Sequence, residues 1–428
     1  MSLGQKIREL RVAKGLTQSD LGNGLVTPSM ISQIESDKAN PSYKVLEAIA
    51  EKLETPLEHF LSDVQTQLEQ TSAHKVAKAL LASNNFERAA TLLESLLEKP
   101  APNLNQIDVN FDLGDCYLAM KRYDDAILLF DRVIELGITK GIPTASLQGL
   151  LKLGLIAKER RKYHMAIFHW RKAYEQFDQL SQPEPFLQSQ ILTHLGEVHN
   201  QLGEFEEALE YFGMAYQFLS SSSHFEQIGF TYIGLGLSYK KMREYEKATE
   251  YSQYAIAIFE SLKNIKLSID VKKNYGLLKG EEGQVTEAMR IFRQCLDEYN
   301  RHGYTNEGAA VRAEIARMHL RAGEYLDGKN ECTLALRDLP QRAKEAAPVL
   351  RTLGLIEDKL GDTDAAVKAL EGSTQIYRAY DQLAELAETW SMLGDLYQKR
   401  GEYSRANECL QYMKQCLTDN LKMRGIIL

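Results

Sequence analysis

Histidine and cysteine are the side chains that most often carry catalysis or metal binding, and their spacing in this chain fits neither role. The nine histidines form no HExxH pair, and His194 and His199, five residues apart, are more typical of packing or surface positions. The five cysteines are scattered and contain no CxxC pair, which indicates reduced, packed thiols. No GxSxG elbow or phosphate-binding loop occurs. We therefore expect no enzymatic activity, no metal and no cofactor.

Composition indicates a folded protein without a strong charge bias. The chain has 428 residues, 44% of them hydrophobic and 26% charged, and a net charge of −8. That charge gives no support to nucleic-acid binding, so any such claim needs a motif. The N-terminus does not read as a secretory signal and no run of eighteen apolar residues occurs, so we expect a cytoplasmic protein that does not span a membrane.

Helical patterns run through the whole chain, and from residue 73 onward a repeat is visible. A small residue is followed twelve positions later by another, and an interposed turn often has Gly two positions before an aromatic residue, as in Gly203 and Phe205. This spacing predicts helix hairpins in which a Gly on the first helix faces an Ala on the second. The pairs are Ala77 and Ala89, Gly114 and Ala126, Gly154 and Ala166, Gly196 and Ala208, Gly236 and Ala248, Gly276 and Ala288, Ala316 and Gly328, Gly354 and Ala366, and Gly394 and Ala406.

This array resembles tetratricopeptide (TPR) repeats over residues 73–415. Successive second-helix positions are mostly 40 residues apart, as from Ala208 to Ala248 and Ala288, which is longer than the usual repeat of about 34. The resemblance implies an all-α, right-handed solenoid of about nine hairpins with a concave channel suited to an extended peptide or a partner helix. We expect residues 63–72 to be a linker and residues 416–428 to cap the stack or pack against another chain.

Residues 1–62 contain five short helix patterns, each opening with a capping residue or Pro. Thr17 precedes the second pattern as an N-cap and Pro28 lies in the first turn of the third. The blocks LTQSDL, SMISQIES, NPS and LEAIAEKL, in this order, resemble the lambda-repressor/Cro type of helix-turn-helix domain. The resemblance implies a DNA-binding domain whose third helix lies in the major groove.

The same resemblance implies roles for individual residues. Gln18 would contact a phosphate, and Gln33 is our choice for reading a base because a carboxamide can pair bidentately with adenine. Glu35 is expected to make a structural hydrogen bond or ion pair. The DNA-contact candidates are Gln18, Pro28, Ser29, Ser32, Gln33, Lys38 and Lys44, and further possible phosphate partners are Lys6, Arg8, Arg11 and Lys14. A solvated surface is the alternative for the basic side chains.

A Cro-type domain joined to a TPR array of roughly 40-residue repeats resembles the RRNPP-type peptide-sensing regulators of Gram-positive bacteria. The resemblance implies a double-stranded DNA operator, a short signal peptide re-imported into the cytoplasm, and a homodimer or larger homo-oligomer that changes on peptide binding. Dimerisation would place two recognition helices about 34 Å apart. The related Rap proteins act on a sporulation response regulator through an N-terminal bundle that this chain replaces with the helix-turn-helix.

In that family, Asn and basic side chains on the first helices of central repeats hold the peptide backbone. Four basic candidates here would fit an acidic peptide or its terminal carboxylate. The candidates by repeat position are Gln190, Glu197, Asn200, Lys240, Lys273, Asn274, Arg317 and Arg351. A solvated helix face is the alternative for each of them.

Two other functions remain open at this stage. The repeats could dock another protein, for example a phosphorelay response regulator, or the chain could be a scaffold whose helix-turn-helix serves only dimerisation.

Overall fold

The computed structural model describes residues 3–39, 41–98, 100, 104–177, 180, 184–220, 223–340 and 342–423. Over these ranges the protein is helical and no strand occurs, which confirms the predicted all-α class. The chain divides into two compact units, Met1–Ile156 and Ala157–Leu428. No helix in the described part is long and apolar enough to cross a membrane.

The N-terminal domain begins with four short helices, α1 (Leu3–Ala13), α2 (Gln18–Gly22), α3 (Pro28–Glu35) and α4 (Tyr43–Lys52). Their starts follow the predicted signals, because Thr17 and Asp20 form a capping box on α2 and Pro28 occupies the first turn of α3. Apolar side chains from all four helices form one buried core. Its members are Leu3, Ile7, Leu21, Ile31, Ile34, Leu46, Ile49, Ala50, Leu53 and Phe60.

The fifth helix pattern was wrong in length. Instead of a short helix near residue 60, the structure has α5 (Glu58–Ala82), a helix of 25 residues. Residues 63–72, expected to be a linker, lie inside α5. The physical reason is that no Gly or Pro stands between residues 58 and 82 to end the helix.

The remaining helices complete the TPR array, in which α5 pairs with α6 and each later odd-numbered helix precedes its even-numbered partner. The described residues thus hold nine successive pairs, as predicted. Residues 416–423 of the expected cap continue α22, and 424–428 lie outside the described residues. The helices are α6 (Phe86–Glu98), α7 (Gln106–Ala119), α8 (Tyr123–Thr139), α9 (Pro143–Glu159), α10 (Tyr163–Tyr174), α11 (Pro185–Leu202), α12 (Phe205–Leu219), α13 (Phe225–Lys241), α14 (Tyr245–Ser261), α15 (Ile265–Glu281), α16 (Val285–Arg301), α17 (Thr305–Ala322), α18 (Tyr325–Asp338), α19 (Ala346–Leu360), α20 (Thr363–Ala379), α21 (Leu383–Lys399) and α22 (Tyr403–Met423).

The small residues of the repeat pack differently from the prediction. A Cβ added to Gly196 would lie 2.8 Å from the ring of Phe212, four residues beyond Ala208, and Gly276 faces the ring of Phe292 at the same distance. In these two repeats the first-helix Gly makes room for a second-helix aromatic ring. In another repeat a Cβ at Gly354 would meet the side chain of Leu370 and the Ala366 carbonyl. The second-helix Ala is itself fully buried, as at Ala208.

The hairpin turns are closed by local contacts. Gly203 ends α11 in the left-handed conformation, with φ 84°. His199, in the last turn of α11, contacts Glu204 just before α12, with Nδ1 and Oε2 at 2.7 Å. A long-range contact also links two turns of the unit Ala157–Leu428. Arg161 Nη1 donates to the Asp381 carbonyl at 2.6 Å, 220 residues away.

Candidate functional site

The exposed face of α3 carries the four residues predicted to lie near base edges. Pro28, Ser29, Ser32 and Gln33 are exposed, whereas the intervening Ile31 is buried in the domain core. The split follows from helical spacing, since positions i, i+1, i+4 and i+5 lie on one side of a helix. The structure therefore brings these four side chains together on a solvent-facing surface, which we call the α3 face.

A hydrogen-bonded network next to the α3 face joins Glu35, Arg11 and Gln18. Glu35 is 6% exposed and accepts a hydrogen bond from Arg11 Nη2 at 3.0 Å and one from Gln18 Nε2 at 2.8 Å. Arg11 Nη1 also donates to the Leu16 carbonyl at 2.7 Å. The structural role expected for Glu35 is thus confirmed. Gln18, a candidate for a phosphate contact, and Arg11, a possible one, both donate to Glu35, because a buried carboxylate needs donors. The phosphate contact of Gln18 stays a prediction.

The other basic side chains of the domain differ in their surroundings. Lys38 and Lys44 are exposed, so they stay phosphate-contact candidates, whereas Lys14 pairs with Glu54 at 2.8 Å. Lys52, which the sequence analysis did not single out, donates to the Asp20 carbonyl at 3.2 Å and holds the C-terminal end of α2. A basic side chain in the last turn of α4 was the only sequence signal for that contact.

Acid should loosen this domain through Glu35. Burial raises its pKa, but the hydrogen bonds from Arg11 and Gln18 and the Arg11 charge outweigh burial, and the net pKa is lowered. A carboxylate whose pKa is lowered by folding stabilises the folded state at pH values above its ordinary pKa of about 4.3. That stabilisation is lost as the pH falls from this value through the lower pKa of the folded state. We expect Glu35→Gln to speed the exchange of backbone amide hydrogens in α1–α3 at neutral pH. We also expect the protection of these amides to depend less on pH in the acidic range.

The control for this prediction is Glu54→Gln. The Glu54 side chain is 84% exposed, so its ion pair with Lys14 should contribute little. Equal exchange rates in both variants and the unmodified protein would contradict a structural role for Glu35.

In the unit Ala157–Leu428, four predicted basic residues lie on successive first helices. Lys240 is on α13, Lys273 on α15, Arg317 on α17 and Arg351 on α19. Each has an acidic neighbour inside the protein. The pairs are Lys240 Nζ with Glu281 Oε1 at 3.0 Å, Lys273 Nζ with Asp270 Oδ1 at 3.6 Å, Arg351 Nη1 with Glu388 Oε2 at 2.9 Å, and Arg317 with Glu314.

The charges of these four cations act on one carboxylate, Glu314, that the sequence analysis missed. Burial raises the pKa of Glu314, and the charges of Arg317, Lys273, Arg351 and Lys240 each act on it in the opposite direction. The net pKa of Glu314 is raised. Arg317 contacts Glu314 directly, and we call Glu314 with these four cations the basic cluster. The one sequence signal for the contact of Glu314 with Arg317 was that an acidic residue stands three positions before Arg317.

The remaining candidates lie on α11 and α15. Glu197 contacts His194 Nδ1 at 3.0 Å and also Lys158; burial raises the Glu197 pKa, but these partners outweigh it and lower the pKa to about 2. Gln190 is half-buried and Asn274 is exposed.

Asn200 lies at the junction of two repeats. Its Nδ2 donates to the Gly234 carbonyl at 3.4 Å, and its Oδ1 accepts from Ser238 Oγ at 2.9 Å. Both partners are on α13, so Asn200 ties α11 to the next first helix. A carboxamide has two N–H donors and two acceptor lone pairs, so these two contacts leave Asn200 a peptide-binding candidate.

The cysteines are packed thiols, as expected. All five are buried, and burial raises the pKa of Cys116, Cys295 and Cys332 to about 12. A thiol with such a pKa is protonated at neutral pH and is a poor nucleophile or metal ligand.

Comparison with known families agrees with this architecture. A helix-turn-helix family matches residues 7–60, and tetratricopeptide repeat families match residues 80–136 and 187–261. Both kinds of family are helical modules of the types that the sequence patterns resemble.

Several bacterial regulators are similar in sequence or fold. The regulatory protein RapG of Bacillus subtilis (strain 168) is 23% identical over 260 residues, covering 59% of this chain and 69% of RapG. The Rap conjugation gene regulator of plasmid pLS20, solved with the Phr* peptide, is 12% identical with a TM-score of 0.52, covering 84% of this chain and 98% of its own.

From length and repeat number, we expected the strongest resemblance to be to NprR. NprR, solved with its cognate peptide NprX, is 13% identical with a TM-score of 0.48, covering 71% of this chain and 88% of its own. That value does not single out NprR. The chain carries a helix-turn-helix domain followed by a tetratricopeptide array, a combination that fits the RRNPP type of regulator.

Proposed function

We propose that this protein is a cytoplasmic transcription regulator that binds an operator through the α3 face and is switched by a short peptide held by the TPR array. The observation that carries the proposal is the basic cluster. Its four cations lie on consecutive first helices, which spaces basic side chains along the repeats as an extended peptide with acidic groups requires.

The DNA half of the proposal is supported by the α3 face. It combines exposed polar side chains at helical spacing with a rigid core behind them, which is what base readout in the major groove requires. In our proposal residues 1–62 form the DNA-binding domain, residues 73–415 the peptide-binding repeats and residues 416–428 a cap. Lys38 and Lys44 supply phosphate contacts, and a homodimer or larger homo-oligomer places two α3 faces on the operator.

The peptide half is supported by the kind of ligand reported for a similar fold. The Rap conjugation gene regulator of pLS20 was solved in complex with the Phr* peptide. An extended peptide brings backbone N–H and C=O groups that need partners. The exposed Asn274, one residue from Lys273, offers both a donor and an acceptor. Gln190, half-buried on α11, is the second amide candidate.

We expect Asn274→Ala to weaken peptide binding about 5- to 15-fold, the loss that one or two neutral hydrogen bonds produce, and to leave operator binding unchanged. The measurement is fluorescence anisotropy with labelled peptides that the unmodified protein retains from a library of random heptapeptides. The matched control is Asn330→Ala, an exposed Asn on the second helix α18, which should bind peptide normally. Equal losses in both variants would show that the assay reports unfolding.

The protein-docking function makes the opposite prediction. It expects unchanged operator affinity and unchanged assembly with every peptide, together with a folded response regulator that stays bound in excess peptide.

A further inference from the structure

The ion pair between Arg317 and Glu314 lacks the two parallel hydrogen bonds that a guanidinium and a carboxylate can form. Arg317 Nη2 contacts Glu314 Oε2 as an ion pair, but Glu314 Oε2 and Arg317 Nε are both buried without a hydrogen-bond partner among the described residues. A guanidinium binds a carboxylate best through Nε and Nη2 together, as two parallel hydrogen bonds. That two-bond arrangement is therefore not formed.

Helix geometry does not force this arrangement. On α16, Arg290 and Glu287 have the same three-residue spacing, and there both bonds form: Nε to Oε2 at 2.9 Å and Nη2 to Oε1 at 2.6 Å. The pair on α16 is largely exposed, whereas the Glu314 side chain is 21% exposed and belongs to the basic cluster. The same sequence spacing thus gives a complete pair at the surface and an incomplete pair in the cluster.

Two opposed influences act on Glu314, because burial raises its pKa and outweighs the four positive charges that lower it. Lys240, Lys273 and Arg351 pair with Glu281, Asp270 and Glu388, yet all three also act on Glu314 together with Arg317. Without Glu314, Arg317 would be left without an acidic partner, and a ligand carboxylate would supply the missing negative charge.

We infer that Glu314 is a placeholder carboxylate, which occupies the position of a ligand carboxylate while the site is empty and gives up Arg317 when that ligand binds. The inference rests on the proposed function and deepens it by naming the ligand chemistry: a peptide that carries a free C-terminal carboxylate or an Asp or Glu side chain. The incoming group takes the Nε–Nη2 edge, so the exchange gains one charge-assisted hydrogen bond.

The test uses the full chain and an equimolar library of random heptapeptides, prepared once as free acids and once as C-terminal amides. Peptides retained by the unmodified protein are identified. Their dissociation constants are then measured for the unmodified protein and for Glu314→Gln. Because Gln removes the competing charge, we expect about 10- to 100-fold tighter binding of carboxylate-bearing peptides. If the C-terminus is the ligand group, amides lose binding; if a side chain is, acids and amides bind alike and Asp or Glu is enriched.

Two variants serve as controls. Glu287→Gln, in the complete pair on α16, should leave affinity unchanged, and Arg317→Ala should abolish the gain of Glu314→Gln in the double variant. Circular dichroism melting verifies that each variant is folded.

The possible failures can be told apart. Retained peptides that bind Glu314→Gln no better, or more weakly, would overturn the placeholder role, because Glu314 would then be neutral or a partner of a basic ligand group. Retention of no peptide by any variant would overturn the proposed peptide-sensing function, and the placeholder role with it.

Discussion

Gly234→Ala should lower the free energy of unfolding of the TPR array by about 1–3 kcal/mol, the range for overpacking a tight core. A Cβ at Gly234 would lie 2.3 Å from two carbon atoms of the fully buried Phe212 ring. The ring is enclosed on the other side by Gly196, so it cannot move away cheaply. We expect the clash to move α13 and so to separate it from α11. The hydrogen bond from Asn200 on α11 to the Gly234 carbonyl would then be lost. The measurement is urea unfolding followed by circular dichroism and local hydrogen exchange.

Gly213→Ala is the matched control. Gly213 follows Phe212 on α12, but a Cβ there would meet nothing within 4 Å. Replacing an interior helical Gly without a clash should raise stability by about 0.5–1 kcal/mol. The two substitutions should therefore have opposite signs; the same sign for both would contradict the packing described for the repeats.

Gln33→Ala should weaken binding to the preferred operator by about 1–3 kcal/mol, or roughly 5- to 150-fold, and should relax the base preference at one position. Gln33 is exposed on the α3 face, so its loss should not disturb the domain core. The operator would first be selected from random DNA with the full-length protein. Dissociation constants for the operator and for single-base variants would then be measured at fixed salt.

Lys44→Ala provides the contrast. Lys44 is exposed and is a candidate for a phosphate contact, so its loss should weaken binding to all sequences alike and reduce the salt dependence by about one charge. If Gln33→Ala behaved like Lys44→Ala, with uniform loss and no change in base preference, the α3 face would not be the reading surface.

Much of the architecture could be predicted because it depends on local signals that recur. Helix starts such as Thr17 with Asp20 are read from neighbouring residues, and the repeated pairs of small residues predicted nine hairpins. The division of α3 into buried Ile31 and exposed Gln33 follows from helical period alone.

What the sequence could not predict depends on contacts between distant residues. That Gly196 accommodates Phe212 and not Ala208 is a matter of interhelical geometry. The hydrogen bond between Gln18 and Glu35 could not be predicted because the two residues are 17 positions apart. Glu314 was missed because one acid on a helix means little until cations from neighbouring repeats are seen around it.

The central claim is that a peptide bound to the repeats changes operator binding. The most direct measurement is the dissociation constant for a selected operator, with and without a retained peptide, with light scattering on the same samples. Coupling between sites is typically about 5- to 150-fold, so we expect a change of that size together with a change of oligomer. Identical operator affinity and identical assembly at saturating peptide would contradict the account.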